Sequence, residues 1–263
     1  MSGSITRRSL AHVLLALMAI VGSAPCHQNN STDVEAKDTW TRSYPITASG
    51  SLSITNGNGR ITIDAADIQT IEVTAERIVK AGTEEVANEQ LKLWEIQEQV
   101  SADSVSLDSS TRGLTVRVSR NAHYTVRVPR GLAVTLKSSN GDVTVTGLAG
   151  AFSASASNGR ITGNDLHGSA QASTTNGVIH LTMAAIAEGG VSAETTNGQV
   201  IVTLPRSANA NLTARVTNGA ISHDNLDVQV VEESRRRFDG RLGTGGPTVR
   251  VETTNGEVRL VGR

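Results

Sequence analysis

Seven times in this chain an Asn-Gly pair is followed, two residues after the glycine, by Ile or Val. The pairs are 58/59, 140/141, 158/159, 176/177, 197/198, 218/219 and 255/256, and the residues that follow are Ile61, Val143, Ile161, Ile179, Val200, Ile221 and Val258. The agreement extends upstream. Six residues before each Asn stands Leu52, Val134, Phe152, Ala170, Val191, Leu212 or Val249, and four before it stands Ile54, Leu136, Ala154, Ala172, Ala193, Ala214 or Val251. A repeat of this kind is a supersecondary unit that buries its apolar face on its neighbours. From 140 onward the Asn positions step by 18, 18, 21, 21 and 37 residues. Eighteen residues hold two short strands and two tight turns, one coil of a β-solenoid.

Asn-Gly between alternating strands is also the strongest short hairpin signal, so an antiparallel β meander or sandwich is the rival fold. Stacked coils account better for the near-identical residues at equivalent places, because Asn over Asn and Ile/Val over Ile/Val form ladders when coils lie in register. The sequence therefore predicts an all-β chain, a β-solenoid or parallel β-helix-like stack of 18–21-residue coils. With only two Trp, two Tyr and two Phe in 263 residues, its interior must be thin and filled by Val, Ile, Leu and Ala.

Ahead of the regular coils, Leu52, Ile54, Ile61, Ile63, Ile71 and Val73 alternate at period two and are expected to face inward. Further strands are expected at Trp94–Gln97, Val105–Leu107, Leu114–Val118 and Tyr124–Val128. Residues 83–93 break the pattern: Thr83 as a cap, Glu84 and Glu85 in the first turn, and an apolar face of Val86 and Leu91, which Trp94 can extend, predict a short helical insertion.

The amino-terminal segment has the pattern of an export signal over residues 1–26, with Arg7 and Arg8 ahead of an apolar run from Leu10 to Gly22. Thirteen apolar residues fall short of the roughly 20 that span a bilayer. The paired arginines suit either the general or the twin-arginine route. Cys26, the one cysteine, stands where a lipidated cysteine stands in lipoproteins, although Ser23 and Pro25 depart from the usual context; it is the one candidate membrane anchor. Residues 27–39 are polar and predict a flexible tether, leaving 40–263 as a single β-repeat domain. The expected location is outside the cytoplasm: periplasmic, cell-surface or secreted.

Lys and Arg number 24 against 25 Asp and Glu, and loss of Arg7 and Arg8 moves the net charge from -1 to -3. No basic stripe awaits nucleic-acid phosphates. His123, His167, His180 and His223 share no metal-ligand spacing. Asp224-Asn225-Leu226-Asp227 lacks the glycine and distal Glu of a calcium loop, and Gly243-Thr244-Gly245-Gly246 lacks the Lys-Ser/Thr of a phosphate loop. No cofactor, metal site or catalytic residue is expected. The segment 224–246 interrupts the repeat, and insertions in solenoids often carry binding. Within it Arg235, Arg236, Arg237 and Arg241 flank Phe238. Guanidinium forks suit carboxylates and phosphates, so these five residues are the candidate site for an anionic envelope or surface partner. The segment is expected to be an adaptable charged loop whose removal leaves the coils folded.

These residues together resemble the bacterial family described as β-strand-repeat "putative adhesins" of unknown function. The resemblance is carried by Leu52 to Ile63, Tyr124 to Gly131, Leu136 to Val145, and Gly240 to Gly246 leading into Val251 to Leu260, and it spans roughly residues 40 to 263. It implies an exported, solenoid-like domain with a helical insertion and brings no catalytic residues. The function expected is a non-enzymatic, adhesin-like binding or scaffold module of the cell envelope or surface. The alternative is a solenoid-type carbohydrate-active enzyme, which requires a pair of carboxylates lining a groove.

Overall fold

The structure, a computed structural model, describes residues 33–110 and 118–263. The export segment, Cys26 and most of the strand expected at Leu114–Val118 lie outside the described residues.

Among the described residues, nineteen strands and one helix follow in chain order. The first group is β1 (Val34–Pro45), β2 (Ser51–Asn58), β3 (Ile61–Ala66), β4 (Thr70–Ala81), α1 (Glu84–Leu93), β5 (Gln97–Val100), β6 (Ser104–Asp108) and β7 (Ser119–Pro129). Four two-strand coils come next: β8 (Ala133–Asn140) with β9 (Val143–Thr146), β10 (Phe152–Asn158) with β11 (Ile161–Leu166), β12 (Ala170–Asn176) with β13 (Ile179–Met183), and β14 (Val191–Asn197) with β15 (Val200–Leu204). The chain ends on β16 (Ala210–Asp224), β17 (Val228–Ser234), β18 (Arg237–Leu242) and β19 (Thr248–Gly262). Strands β16 and β19 each run through the corner and form a whole coil.

The coils stack in parallel as two walls. One wall reads β6, β2, β8, β10, β12, β14, β19, β16. The other reads β7, β3, β9, β11, β13, β15, β19, β16. The parallel pairing selects the solenoid over the meander. Seven Asn-Gly coils, six steps of about 4.8 Å, stand roughly 29 Å tall. Their order is not that of the sequence: β19 lies between β14/β15 and β16, and the β2/β3 coil lies between β6/β7 and β8/β9.

The inward ladders explain why so few aromatics suffice. Ile54, Leu136, Ala154, Ala172, Ala193, Val251 and Ala214 succeed one another on the first wall, while Ile61, Val143, Ile161, Ile179, Val200, Val258 and Ile221 do so on the second. Small residues on one wall leave room for branched residues on the other, and all but the terminal Ile221 are buried.

The corner shows what Asn-Gly is for. Each Asn side chain donates Nδ2–H to the Oδ1 of the Asn one coil before it: Asn140 to Asn58, Asn158 to Asn140, Asn176 to Asn158, Asn197 to Asn176, Asn255 to Asn197 and Asn218 to Asn255, all at 2.8 to 2.9 Å. Asn58 closes the series on the carbonyl of Arg120 at 3.1 Å. The glycine N–H groups run the other way, from Gly59 to the Asn140 carbonyl and from Gly141 to that of Asn158, both at 2.9 Å. A Cβ on Gly141, Gly159, Gly177, Gly198 or Gly256 would overlap the carbonyl oxygen of the glycine in the adjoining coil. Close stacking of backbones, not a hairpin, requires the glycine. Thr174, Thr195 and Thr253, buried beneath the corner, donate to the glycine carbonyls of Gly159, Gly177 and Gly198 at 3.0 to 3.3 Å.

Antiparallel strands finish the ends. At one end β5 pairs with β6, and β4 and β1 extend the second wall beyond β7. Residues 34–39, expected as part of a tether, belong to β1: Ala36 is buried, Glu35 meets Lys80 and Asp38 meets Arg77 at 2.5 Å each. Their polarity is that of an outer strand, paired among the described residues along one side only. Helix α1 begins at the Thr83 cap, which accepts from the Val86 N–H at 3.3 Å, and buries Ala87 and Leu91. Trp94, expected to open a strand, is the helix C-cap and donates its indole N–H to the Ser109 carbonyl at 3.3 Å.

Candidate functional site

The segment 224–246 is a β-hairpin. Asn225, at φ 57°, turns the chain out of β16; β17 pairs with β18, and β18 lies antiparallel on the first half of β16. Alternation along β18 sends Phe238, Gly240 and Leu242 inward. Phe238 is 1% exposed. It stands opposite Ala214 in the register, and its ring lies 4.8 Å from that of His223 on the other wall. Phe238 therefore plugs the end of the solenoid, which corrects its assignment to a binding surface, and the hairpin is the cover of an otherwise open core, not a removable loop.

The arginines part company. Arg237 is committed within the hairpin, with Nε 2.7 Å from Asp239 and 3.0 Å from Glu232. Partial burial pushes the Asp239 carboxyl upward, but the Arg237 hydrogen bond and the charges of Arg237 and Arg215 together hold it below the usual range. Arg235, Arg236 and Arg241 are exposed, and among the described residues none has a carboxylate within 4.0 Å.

Arg236 overhangs a groove of about 330 Å³ on the first wall, shared with Glu194, Arg215, Val216, Glu252 and corner threonines. The outward row beneath it reads Ser173, Glu194, Glu252, Arg215, Arg237 across β12, β14, β19, β16 and β18. Glu252 accepts from Arg250 at 3.0 Å. The row could not be found from sequence spacing, because it exists only through the out-of-order seat of β19. A larger groove of about 470 Å³ higher on this wall is lined by Thr135, Ser153, Gln171, Ser192 and Arg250 among small residues.

The histidines are dispersed. His123 accepts the Arg60 N–H on Nδ1 at 3.2 Å, and burial lowers its pKa; His167 lies 3.6 Å from Asp165 and His223 3.4 Å from Glu233. Among the described residues no three His, Cys, Asp or Glu side chains form a metal-binding group, and no helix is long and apolar enough to cross a membrane.

The model of the Toastrack DUF4097 family matches residues 133–261, the stretch from β8 into β19. Two solved structures match over most of the chain. One, described as a "putative cell adhesion protein" from Clostridium sporogenes ATCC 15579, is 11% identical, covers 88% of this chain and 100% of its own, and superposes with a TM-score of 0.48. The other, a "putative adhesin" from Bacteroides fragilis NCTC 9343, is 12% identical, covers 87% of this chain and 98% of its own, with a TM-score of 0.44. No curated protein matches the chain. The family match falls on the parallel Asn-Gly coils from β8 onward and their hairpin cover, and over these residues the chain is similar to the Toastrack DUF4097 family.

Proposed function

We propose that this protein is an exported, non-catalytic binding scaffold of the cell envelope or surface, which holds an anionic partner through the arginines of its terminal hairpin. One observation carries the reading: Arg235, Arg236 and Arg241 stand exposed, without carboxylate partners among the described residues, on a hairpin fixed to the core by Phe238 and Leu242. Exposed guanidinium groups carried on a strand-supported hairpin lose little loop freedom on binding, and their forks match phosphate or carboxylate oxygens. The adhesin descriptions of the two matching structures are consistent with this role.

The test is retention on isolated envelope. Changing Arg235, Arg236 and Arg241 together to Ser should weaken attachment at low salt and leave little for added salt to remove, because the contact is between screened surface charges. Equal retention of the triple variant and the parent across that range would remove the arginines from the function.

A second reading rests on Glu194 and Glu252, adjacent in register and lining one groove, the carboxylate pair that a carbohydrate-active enzyme requires. Release of reducing sugar from envelope polysaccharide, abolished by Glu194→Gln, is the outcome that would favour it over binding alone.

A further inference from the structure

Among the described residues, strand β17 pairs with β18 on one side only, so the backbone groups along its other edge are left for solvent or another strand. It is also the place where valines stay out of the core: Val230 is 46% and Val231 74% exposed, side by side where the register shifts between Val230 and Glu232. A bulge re-aims side chains in this way. Acidic and basic residues sit at opposite ends of the strand. Asp227 precedes it and Arg235 follows it, both exposed and, among the described residues, without an oppositely charged side chain within 4.0 Å.

We infer that β17 is a self-complementary edge through which two copies of this chain pair as an antiparallel, two-fold dimer. Such a dimer is isologous, and its axis passes between a residue and the same residue of the second copy. Two registers bring the exposed valines to the axis. With Val231 on the axis, Glu232 faces Val230, Glu233 faces Gln229, and Arg235 faces Asp227, each contact occurring twice. With Val230 on the axis, Glu233 faces Asp227, and like charges directly opposed are destabilising. The charges therefore select the Val231 register, and the valines give it an apolar centre flanked by two Arg235–Asp227 pairs. On the same wall β5 (Gln97–Val100), which among the described residues pairs only with β6, carries Glu98 but no cation, so a head-to-tail joint of β17 to β5 gains no such pairs.

The experiment is sedimentation equilibrium of the purified chain from micromolar to near-millimolar concentration, with no envelope material present. The average mass should rise toward that of two chains and fall back with added salt. Val231→Lys places two like charges on the axis and should hold the chain monomeric. Asp227→Arg alone and Arg235→Asp alone should each weaken association by roughly tenfold or more, since each turns two cross-strand attractions into repulsions. Mixing these two variants restores opposite charges at both contacts and should restore the dimer. A parent that stays monomeric throughout overturns the inference. So does a dimer indifferent to Val231→Lys, or a mixture no more associated than its components. Arg236 and Arg241 are unchanged in every variant, so failure here is separable from failure of envelope binding.

Discussion

Two glycines stand two residues apart at the first Asn-Gly corner, and they should respond to the same substitution in opposite ways. Gly59 has φ 109°, and a Cβ there would overlap the Ala122 carbonyl oxygen, with its carbon at 2.8 Å and His123 Nδ1 at 3.0 Å. A Cβ on Gly57 would meet nothing nearer than Ser110 Cα at 3.8 Å. Gly59→Ala forces a side chain into left-handed backbone at about 1 to 3 kcal/mol. It also pushes β3 from β7, straining the Asn56 bond to the Ala122 carbonyl (2.9 Å), the Arg60 N–H bond to His123 (3.2 Å) and the Tyr124 N–H bond to the Arg60 carbonyl (2.9 Å). Loss of two of these, at about 1 kcal/mol each, brings the total to roughly 3 to 5 kcal/mol. At about 2 to 4 °C per kcal/mol for a chain of this size, Tm should fall by about 6 to 20 °C. Gly57→Ala adds no clash and restricts the unfolded chain, so its effect should stay within about 1 kcal/mol. Thermal unfolding followed by circular dichroism compares them directly. Equal losses in the two variants would refute the claim that stacking distance, not turn formation, demands glycine at the corner.

Val200→Asp buries a carboxylate in the ladder between Ile179 and Val258 and should cost several kcal/mol, whereas Thr182→Asp on the outward side should change urea unfolding by less than about 1 kcal/mol; similar losses would show the register to be wrong. Tyr124 is fully buried, its hydroxyl has no hydrogen-bond partner among the described residues, and burial raises its pKa to about 12. A pKa raised on folding favours the protonated form, so the parent should keep this contribution below pH about 10 and lose on the order of 2 kcal/mol as pH climbs through about 12. Tyr124→Phe should lack that part of the alkaline decline and be as stable as the parent, or slightly more so, at neutral pH. Parallel stability curves for the two proteins between pH 10 and 12 would contradict the assignment.

The inward faces were legible because each coil repeats one decision. A single apolar place at a fixed distance from Asn-Gly, taken seven times, identifies Leu52, Val134 or Val191 as core without any structure, and the cap at Thr83 identifies the helix in the same local way. The order of the coils was not legible, for the same reason. Coils that carry the same phrase can stack on one another indiscriminately, so nothing near Asn255 states that its neighbours are Asn197 and Asn218. Everything that depends on that order was hidden with it, including the row from Glu194 through Glu252 to Arg215. Phe238 was misread because arginines surround it and Gly240 interrupts the alternation from Phe238 to Leu242. Burial there is decided by β18 closing on Ala214, a contact that local pattern does not encode. Residues 34–39 were misread because Ala36 alone among them is buried, and a strand held by backbone pairing and ion pairs leaves little hydrophobic trace.

The seat of β19 has a consequence for how the molecule comes into being. The ribosome delivers residues 210–224 before 248–262, yet the earlier segment belongs one place farther out, on a surface that the later segment provides. Until β19 arrives, β14 and β15 present an uncovered template, and β16 fits it in the same in-register manner, since both carry the same phrase. Premature docking of β16 there would have to be undone before the native order is reached. Delay until the whole segment through Gly262 is present, in a chain released or translocated before it folds, avoids that error. Assembly from the amino-terminal coil onward does not.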